Sequence, residues 1–423
     1  MKETPRGNRL QIALLGRRNV GKSSLLNALT RQEVSIVSDV AGTTTDPVEK
    51  PMELLPIGPV LFIDTAGMDD CGALGSRRVE KTRAVLDRAD VGIIVAAQGE
   101  WGAFEESLLA ELRERETPRI VVFNKVDLSP PPPELRQRLA SSGIPLVETV
   151  APAGTGMLDL REALIRQAPQ DLLNPPSILG DLVPAGELAV LVVPIDLEAP
   201  KGRLILPQAQ TIRDLLDNNA YCLVVKEREL RDALDRLRRP PALVVTDSQA
   251  FLKVAADTPP TVKMTSFSIL FARHKGDLAE LVRGATAIDR LRPGSRVLIC
   301  EACTHHPIGD DIGRVKIPGW LQQHVGGDLA FTQYQGHDFP EDLSGIDLVV
   351  HCGSCVHNRR EMLSRIVKCC RAGVPITNYG LAIAYTLGIF ERALEPFPSA
   401  LAVYRQLRRP AGASSRRSWG VDA

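Results

Sequence analysis

With 423 residues the chain has room for about two to four domains, and a hydrophobic content of 44% gives them real cores. Its formal net charge is zero, 51 basic against 51 acidic side chains, which counts against bulk attraction to nucleic acid. Aromatic residues are only 4%, which weakens a base-stacking reading, and no apolar stretch is long enough to span a bilayer. The opening residues Met1 to Gly7 lack the apolar core of a signal peptide, so a cytoplasmic protein with its eight cysteines reduced is expected.

Leu10 to Leu15 reads as a buried strand running into Gly16-Arg17-Arg18-Asn19-Val20-Gly21-Lys22-Ser23. This is a complete G-x-x-x-x-G-K-S loop with strand before and helix after, the context the motif needs. Gly16 and Gly21 let the backbone curl so that its N–H groups face phosphate oxygens. Lys22 is expected to reach the β- and γ-phosphates of a nucleotide, and the Ser23 hydroxyl to bind Mg²⁺. A helix from Ser24 to Leu29 would present its positive end to the anion.

Further signals follow in the order nucleotide binding requires. Val60 to Asp64 is a strand ending in Asp64-Thr65-Ala66-Gly67. Asp64 would orient Mg²⁺ through water, and Gly67 would bring an N–H near the γ-phosphate. Ile120 to Phe123 is a strand leading into Asn124-Lys125-Val126-Asp127. The Asp127 carboxylate can accept both N–H donors of a guanine edge, which adenine cannot supply. P-loop, D-x-x-G and N-K-x-D in this order resemble a GTPase over about residues 8–170. Val40 to Asp46, with Gly42-Thr43-Thr44-Thr45, is similar to switch I of the Era-like and tRNA-modification GTPases. That resemblance implies Thr44, with Thr43 second, closing over Mg²⁺, and Asn19 helping to bind an activating K⁺. Met68 stands where Ras-like proteins keep a water-positioning glutamine, so unaided GTP hydrolysis is expected to be slow. Val150-Ala151-Pro152 departs from the usual Ser-Ala pair, leaving the Ala151 N–H to support guanine. A helix from Gly156 to Gln167 should close the domain.

Residues 169–184, with Asn174-Pro175-Pro176, read as a linker. Strands at Leu188–Val193, Tyr221–Val225 and Ala242–Val245 then alternate with helices, implying a parallel sheet. This segment carries no catalytic constellation, which points to a dimerisation module; Cys222 is expected in its core. A third α/β unit has strands near Arg296–Ile299, Asp347–Val350 and Pro375–Thr377. The expected division is a GTP-binding domain over 1–170, an α/β dimerisation domain over 171–260, an α/β cluster domain over 261–400 and a tail over 401–423.

The third unit holds the second chemical signal. Cys303-Thr304-His305 and His351-Cys352-Gly353-Ser354-Cys355 each lie just past a strand, where α/β folds place their sites. Three thiolates suit zinc or an iron–sulfur cluster. Cys-x-His is a poor zinc knuckle, and three cysteines suit a [4Fe–4S] cluster with one open iron, but spacing alone leaves both standing. A helix over Asn358–Cys370 would turn its N-terminus toward the thiolates.

A GTPase domain, a silent middle domain, then Cys-x-His and a distant His-Cys-x-x-Cys resemble the HydF family of [FeFe]-hydrogenase maturation GTPases over nearly the whole chain. The resemblance implies a [4Fe–4S] cluster on Cys303, Cys352 and Cys355, with His305 and His351 as motif histidines that could occupy or gate the fourth position. It implies a scaffold and carrier that receives a di-iron subcluster precursor built with radical-SAM maturases and delivers it to apo-[FeFe]-hydrogenase. GTP binding and hydrolysis would regulate those partner interactions, and the chain would work as a homodimer, with no membrane and no nucleic acid involved. The alternative is a tRNA-modification or ribosome-assembly GTPase with an added zinc or iron–sulfur domain.

Overall fold

The computed structural model describes residues 5–30, 47–54, 57–65, 73–97, 99–169, 176–195, 202, 204–302 and 311–408. They form two compact units: Met1–Pro176 with the returning segment Val356–Ser364, and Ser177–Cys355 with Arg365–Ala423.

The first unit is built on six strands: β1 (Leu10–Leu15), β2 (Val48–Leu54), β3 (Gly58–Asp64), β4 (Val91–Ala97), β5 (Arg119–Asn124) and β6 (Leu146–Thr149). Their order is β2-β3-β1-β4-β5-β6, with β2 alone antiparallel to its neighbour. Helices α1 (Lys22–Thr30), α2 (Ala73–Arg88), α3 (Ala103–Glu114), α4 (Pro133–Ser141) and α5 (Met157–Gln167) connect them. Strands β1 and β4 are buried along their whole length, as a parallel sheet covered on both faces demands. Alternate residues go to opposite faces. Ile12, Leu14, Phe62 and Val95 pack with Leu25, Leu26, Leu160 and Leu164. Ala13, Leu15, Leu61 and Ile94 pack instead with Val85, Leu86, Leu108 and Leu112. Strand β2 eluded the sequence because it is a half-exposed edge carrying Pro51, a residue that edges tolerate. Of the four consecutive prolines, Pro133 opens α4, where its fixed φ and missing N–H are harmless.

The second unit carries two four-stranded parallel sheets. The first holds β7 (Leu188–Val192), β8 (Tyr221–Val225), β9 (Leu243–Thr246) and β10 (Met264–Ser266), in the order β10-β9-β7-β8. The second holds β11 (Arg296–Glu301), β12 (Ala330–Gln335), β13 (Leu348–His351) and β14 (Ile376–Asn378), in the order β12-β11-β13-β14. No helix among the described residues is long and apolar enough to cross a membrane.

The sequence boundaries shift in three places, and one burial expectation changes. The middle sheet runs on to Ser266, past the expected limit at 260, because the three-residue β10 is too short to show a period. The expected linker ends earlier than 184: Leu179 and Val183 are fully buried, and the N–H groups of Ile178, Leu179 and Gly180 all donate to the Asp214 carboxylate. The tail expected from 401 begins later, since Pro398–Leu407 is a helix that buries Leu401 and Tyr404. Cys222 is only half-buried, because β8 is an edge strand.

Candidate functional site

The nucleotide loops follow the carboxyl ends of the central strands, where doubly wound sheets place their ligands. Gly16 and Gly21 have φ of +143° and +94°. A side chain at Gly16 would strike Val95 O at 2.3 Å, and one at Gly21 would strike Asn124 Nδ2 at 2.3 Å, so the loop closes only with glycine there. Asn19 and Lys125 also adopt left-handed backbone, with φ of 63° and 59°. Non-glycine residues are rare there and concentrate at functional loops.

Side chains lace these loops together. Lys22 Nζ donates to Gly16 O at 2.8 Å and Arg17 O at 2.9 Å, which holds the ammonium under the loop. Asn124 is buried; its Nδ2 donates to Val20 O at 3.0 Å, while its Oδ1 accepts from Thr149 Oγ1 and from Ala151 N, both at 3.1 Å. Lys125 Nζ donates to Asn19 O at 2.8 Å. The Ala151 N–H expected to face guanine therefore clamps Asn124 and fixes the loop after β6. Asp127 is exposed on the loop after β5, where an incoming base edge could meet it. Arg17 grips Glu105 through two bonds of 2.7 and 3.2 Å, a link invisible in the sequence.

Ser23 Oγ lies 3.3 Å from Asp64 Oδ2, and Asp64 Oδ1 is buried without a hydrogen-bond partner among the described residues. Burial raises the Asp64 carboxyl above its usual range, although Lys22 and Ser23 pull it the other way. A hydroxyl beside a carboxylate with one unmatched oxygen is the donor set a hard divalent cation takes, so Ser23 and Asp64 fit Mg²⁺. Thr44 and Gly67 lie outside the described residues, as do Thr43 and Met68.

The thiolate site sits at the second unit's own switch point. Strands β11 and β13 are neighbours in the order β12-β11-β13-β14, with β12 beyond β11 on one side and β14 beyond β13 on the other, so the strand order reverses between them. Cys300 pairs with His351 in register, and Cys352 N donates to Cys300 O at 2.8 Å, which roots the Cys-x-x-Cys loop on β11. The Cys352 sulfur accepts from Ala302 N at 3.0 Å and Ser354 N at 3.5 Å. Backbone N–H groups aimed at sulfur favour a thiolate, as cluster and zinc sites do. Ser354, between the two cysteines, has a φ of 56°, in the left-handed region that is uncommon for a non-glycine residue. Cys303 comes two positions after the last residue of β11 in the sequence, but Cys303 and His305 lie outside the described residues.

The other nearby thiols are of a different kind. Cys300 and Cys369 are fully buried, and burial pushes both up to about 12, so they stay protonated packing residues. His351 is also fully buried. Its Nδ1 lies 3.0 Å from Cys352 O and its Nε2 lies 2.8 Å from Arg365 Nη1. Both ring nitrogens are engaged, which the sequence could not show. Sequence reasoning also missed Tyr379, which donates to Glu301 Oε1 at 3.2 Å at the end of β11.

Residues 178–276 match the hydrogen maturase F dimerization domain, and residues 279–396 match the hydrogen maturase F tetramerization domain. Residues 11–125 match the 50S ribosome-binding GTPase family. The chain belongs to the hydrogen maturase F family. Its two oligomerisation domains coincide with the two sheets of the second unit, and its GTPase domain with the sheet of the first. Curated relatives match part of this chain. A tRNA modification GTPase MnmE of Synechococcus sp. is 41% identical over 165 residues, 37% of this chain and 33% of that protein. The Aquifex aeolicus MnmE is 36% identical over 165 residues, 38% of this chain and 35% of that protein. The chain thus spans about a third of the length of the relatives it matches. The G domain of the T. maritima FeoB iron transporter aligns with a TM-score of 0.31 and 25% identity, over 38% of this chain and 99% of that one.

Proposed function

We propose that this maturase-family protein is a GTP-hydrolysing scaffold for [FeFe]-hydrogenase assembly. In this reading it carries a [4Fe–4S] cluster on Cys303, Cys352 and Cys355 and takes up a di-iron subcluster precursor from radical-SAM maturases. It then passes that unit to apo-hydrogenase in the cytoplasm. The observation that carries the reading is the coincidence of the two maturase domain matches with a Cys-x-x-Cys loop that follows β13 and hydrogen-bonds to the neighbouring β11. A bound cluster would supply an iron open to an external ligand; the chain's own part is to present thiolates and shield them.

At the other site, the P-loop N–H groups and Lys22 would bind the β- and γ-phosphates. Ser23, Asp64 and Thr44 would hold Mg²⁺, Gly67 would sense the γ-phosphate, and Asn19 would contribute to a K⁺ site. Asp127 would select guanine, on a loop held by Asn124 and Ala151. Nucleotide turnover would regulate partner binding in a homodimer, since the chemistry of the thiolates needs no phosphoryl transfer. The tRNA-modification alternative is not favoured, because the similarity to such an enzyme covers only 37% of this chain.

Anaerobic purification and transfer to apo-hydrogenase test this reading. A brown protein with an iron–sulfur EPR signal that activates apo-hydrogenase is expected. Cys303→Ser, Cys352→Ser and Cys355→Ser should each abolish the signal and spare GTP hydrolysis. A colourless protein with one zinc per chain would sink the proposal.

A further inference from the structure

The engaged ring of His351 bears on which groups can reach the metal, and this inference rests on the cluster reading above. Arg365 is 3% exposed and lies on the helix Arg359–Ala372. Its guanidinium meets three groups of the same unit that bear on the ring. Nη1 meets His351 Nε2 at 2.8 Å, Nη2 donates to Gly336 O at 2.8 Å, and the Cζ carbon lies 5.3 Å from the centre of the Phe339 ring.

A guanidinium has donors only, so the His351 Nε2 facing it must be the acceptor, with its lone pair committed to Arg365. The Nδ1 facing Cys352 O must then carry the proton, because a carbonyl oxygen can only accept. In that tautomer neither nitrogen has a lone pair left for a metal. The ring instead braces the first peptide of the Cys-x-x-Cys loop. The guanidinium also supplies a fixed positive charge close enough to pull against the burial that raises the Cys300 thiol.

We propose that Arg365 is a positioning residue that withholds His351 from the metal, so that the histidine of the His-Cys-x-x-Cys motif orients Cys352 rather than competing for the open iron. A buried arginine costs desolvation, and here that cost is offset by one imidazole nitrogen, one carbonyl and one aromatic face. A polar network of this kind fixes one arrangement of its members.

The test uses the full chain with no appended histidines, compared with Arg365→Met, Arg365→Lys, His351→Gln and the Arg365→Met/His351→Gln double variant. In the metal-free protein, nitrogen-15 NMR of labelled histidines should show one ring protonated at Nδ1 and bare at Nε2. His351→Gln should remove that signal, Arg365→Met should shift it, and Arg365→Lys should restore it. After anaerobic loading with iron and sulfide, pulsed EPR of the reduced wild type should show no coordinated nitrogen from His351. Arg365→Met should introduce such a coupling, and the double variant should lose it. A wild-type imidazole coupling abolished by His351→Gln would overturn the inference and leave the cluster reading intact. Failure of Arg365→Met to introduce any coupling would overturn the assignment to Arg365. A wild type with the expected tautomer that forms no cluster would overturn the cluster reading, and the withholding role with it. Should Arg365→Met not fold, Arg365→Lys decides the matter: retained tautomer supports the pairing, and a lost one refutes it.

Discussion

Asn358 donates from Nδ2 to both carboxylate oxygens of Asp90 at 3.1 Å and to Arg88 O at 2.8 Å, although 268 and 270 residues separate them in the chain. Asp90 Oδ2 in turn accepts the N–H of Gln11 in β1 at 2.8 Å. The same asparagine accepts Glu361 N at 3.1 Å through its Oδ1, capping the helix that follows the Cys-x-x-Cys loop. Arg360 adds a bond to Thr117 Oγ1 at 2.7 Å. The segment three residues beyond Cys355 is therefore part of the GTPase-containing unit, pinned where α2 ends and β4 begins.

That pin should be worth measuring. Asn358 is fully buried and Asp90 nearly so, so Asn358→Ala leaves a buried carboxylate short of a donor and removes a helix cap. A loss of about 2 to 4 kcal/mol in unfolding free energy is expected. Asn358→Asp should cost more, by setting a second carboxylate against Asp90. Denaturant unfolding gives the magnitude, and hydrogen exchange should show lost protection at residues 88–91 and 358–361 together. Loss confined to one of the two stretches would contradict the linkage.

The Arg17–Glu105 pair predicts an acid dependence. Burial alone would raise the Glu105 carboxyl, but the bonds from Arg17 and from Gly102 N outweigh it and hold the group below its ordinary value. A carboxyl depressed in the folded state stabilises the protein above its unfolded value of about 4.3, and that contribution disappears as pH falls through the folded value. Glu105→Gln should destabilise the protein at neutral pH. The gap between variant and wild type should narrow progressively below about pH 4.3, as followed by urea unfolding across pH.

Asp64 shifts the opposite way, and the consequence appears in metal binding. Its raised carboxyl holds a proton more readily than an exposed aspartate does, and Mg²⁺ must displace that proton. Mg²⁺ affinity in the nucleotide complex should decline with falling pH from above the ordinary aspartate value of about 3.9. Asp64→Asn should weaken Mg²⁺ binding about tenfold or more and flatten this dependence. Titration of Mg²⁺ against GTP hydrolysis at several pH values decides it; equal pH dependence in both proteins would exclude Asp64 from the site.

Strand β8 makes a prediction about self-association. It is an edge of its sheet, and its Tyr221 and Val224 are 65% and 42% exposed. An apolar edge with unpaired N–H and C=O groups is a template for a further strand. Tyr221→Lys with Val224→Lys should shift sedimentation toward monomer while leaving GTP binding unchanged. An unaltered oligomer would move the dimer contact elsewhere.

The sequence was most legible where chemistry is local. Gly16, Gly21, Lys22 and Ser23 could be read because a phosphate loop is made within eight residues, by backbone geometry that only glycine permits. Strands β1, β3, β5 and β13 could be read because their buried stretches are written as continuous apolar runs. Strands β2 and β12 were not legible, because half-exposed edges carry mixed residues without a clean period. The short β10 escaped for want of length, and so the middle domain was drawn too small.

By itself the sequence determined a P-loop motif after one strand and cysteine motifs beyond two others, since residue type and short spacing suffice to find both. Only the tertiary structure decided the roles of Ala151, His351 and Asn358. Each is set by hydrogen-bond partners that chain order does not reveal: Asn124 for Ala151, Arg365 for His351, and Asp90 with Arg88 for Asn358. A buried polar atom must take whatever partner the fold brings within about 3 Å, and that choice is made by packing.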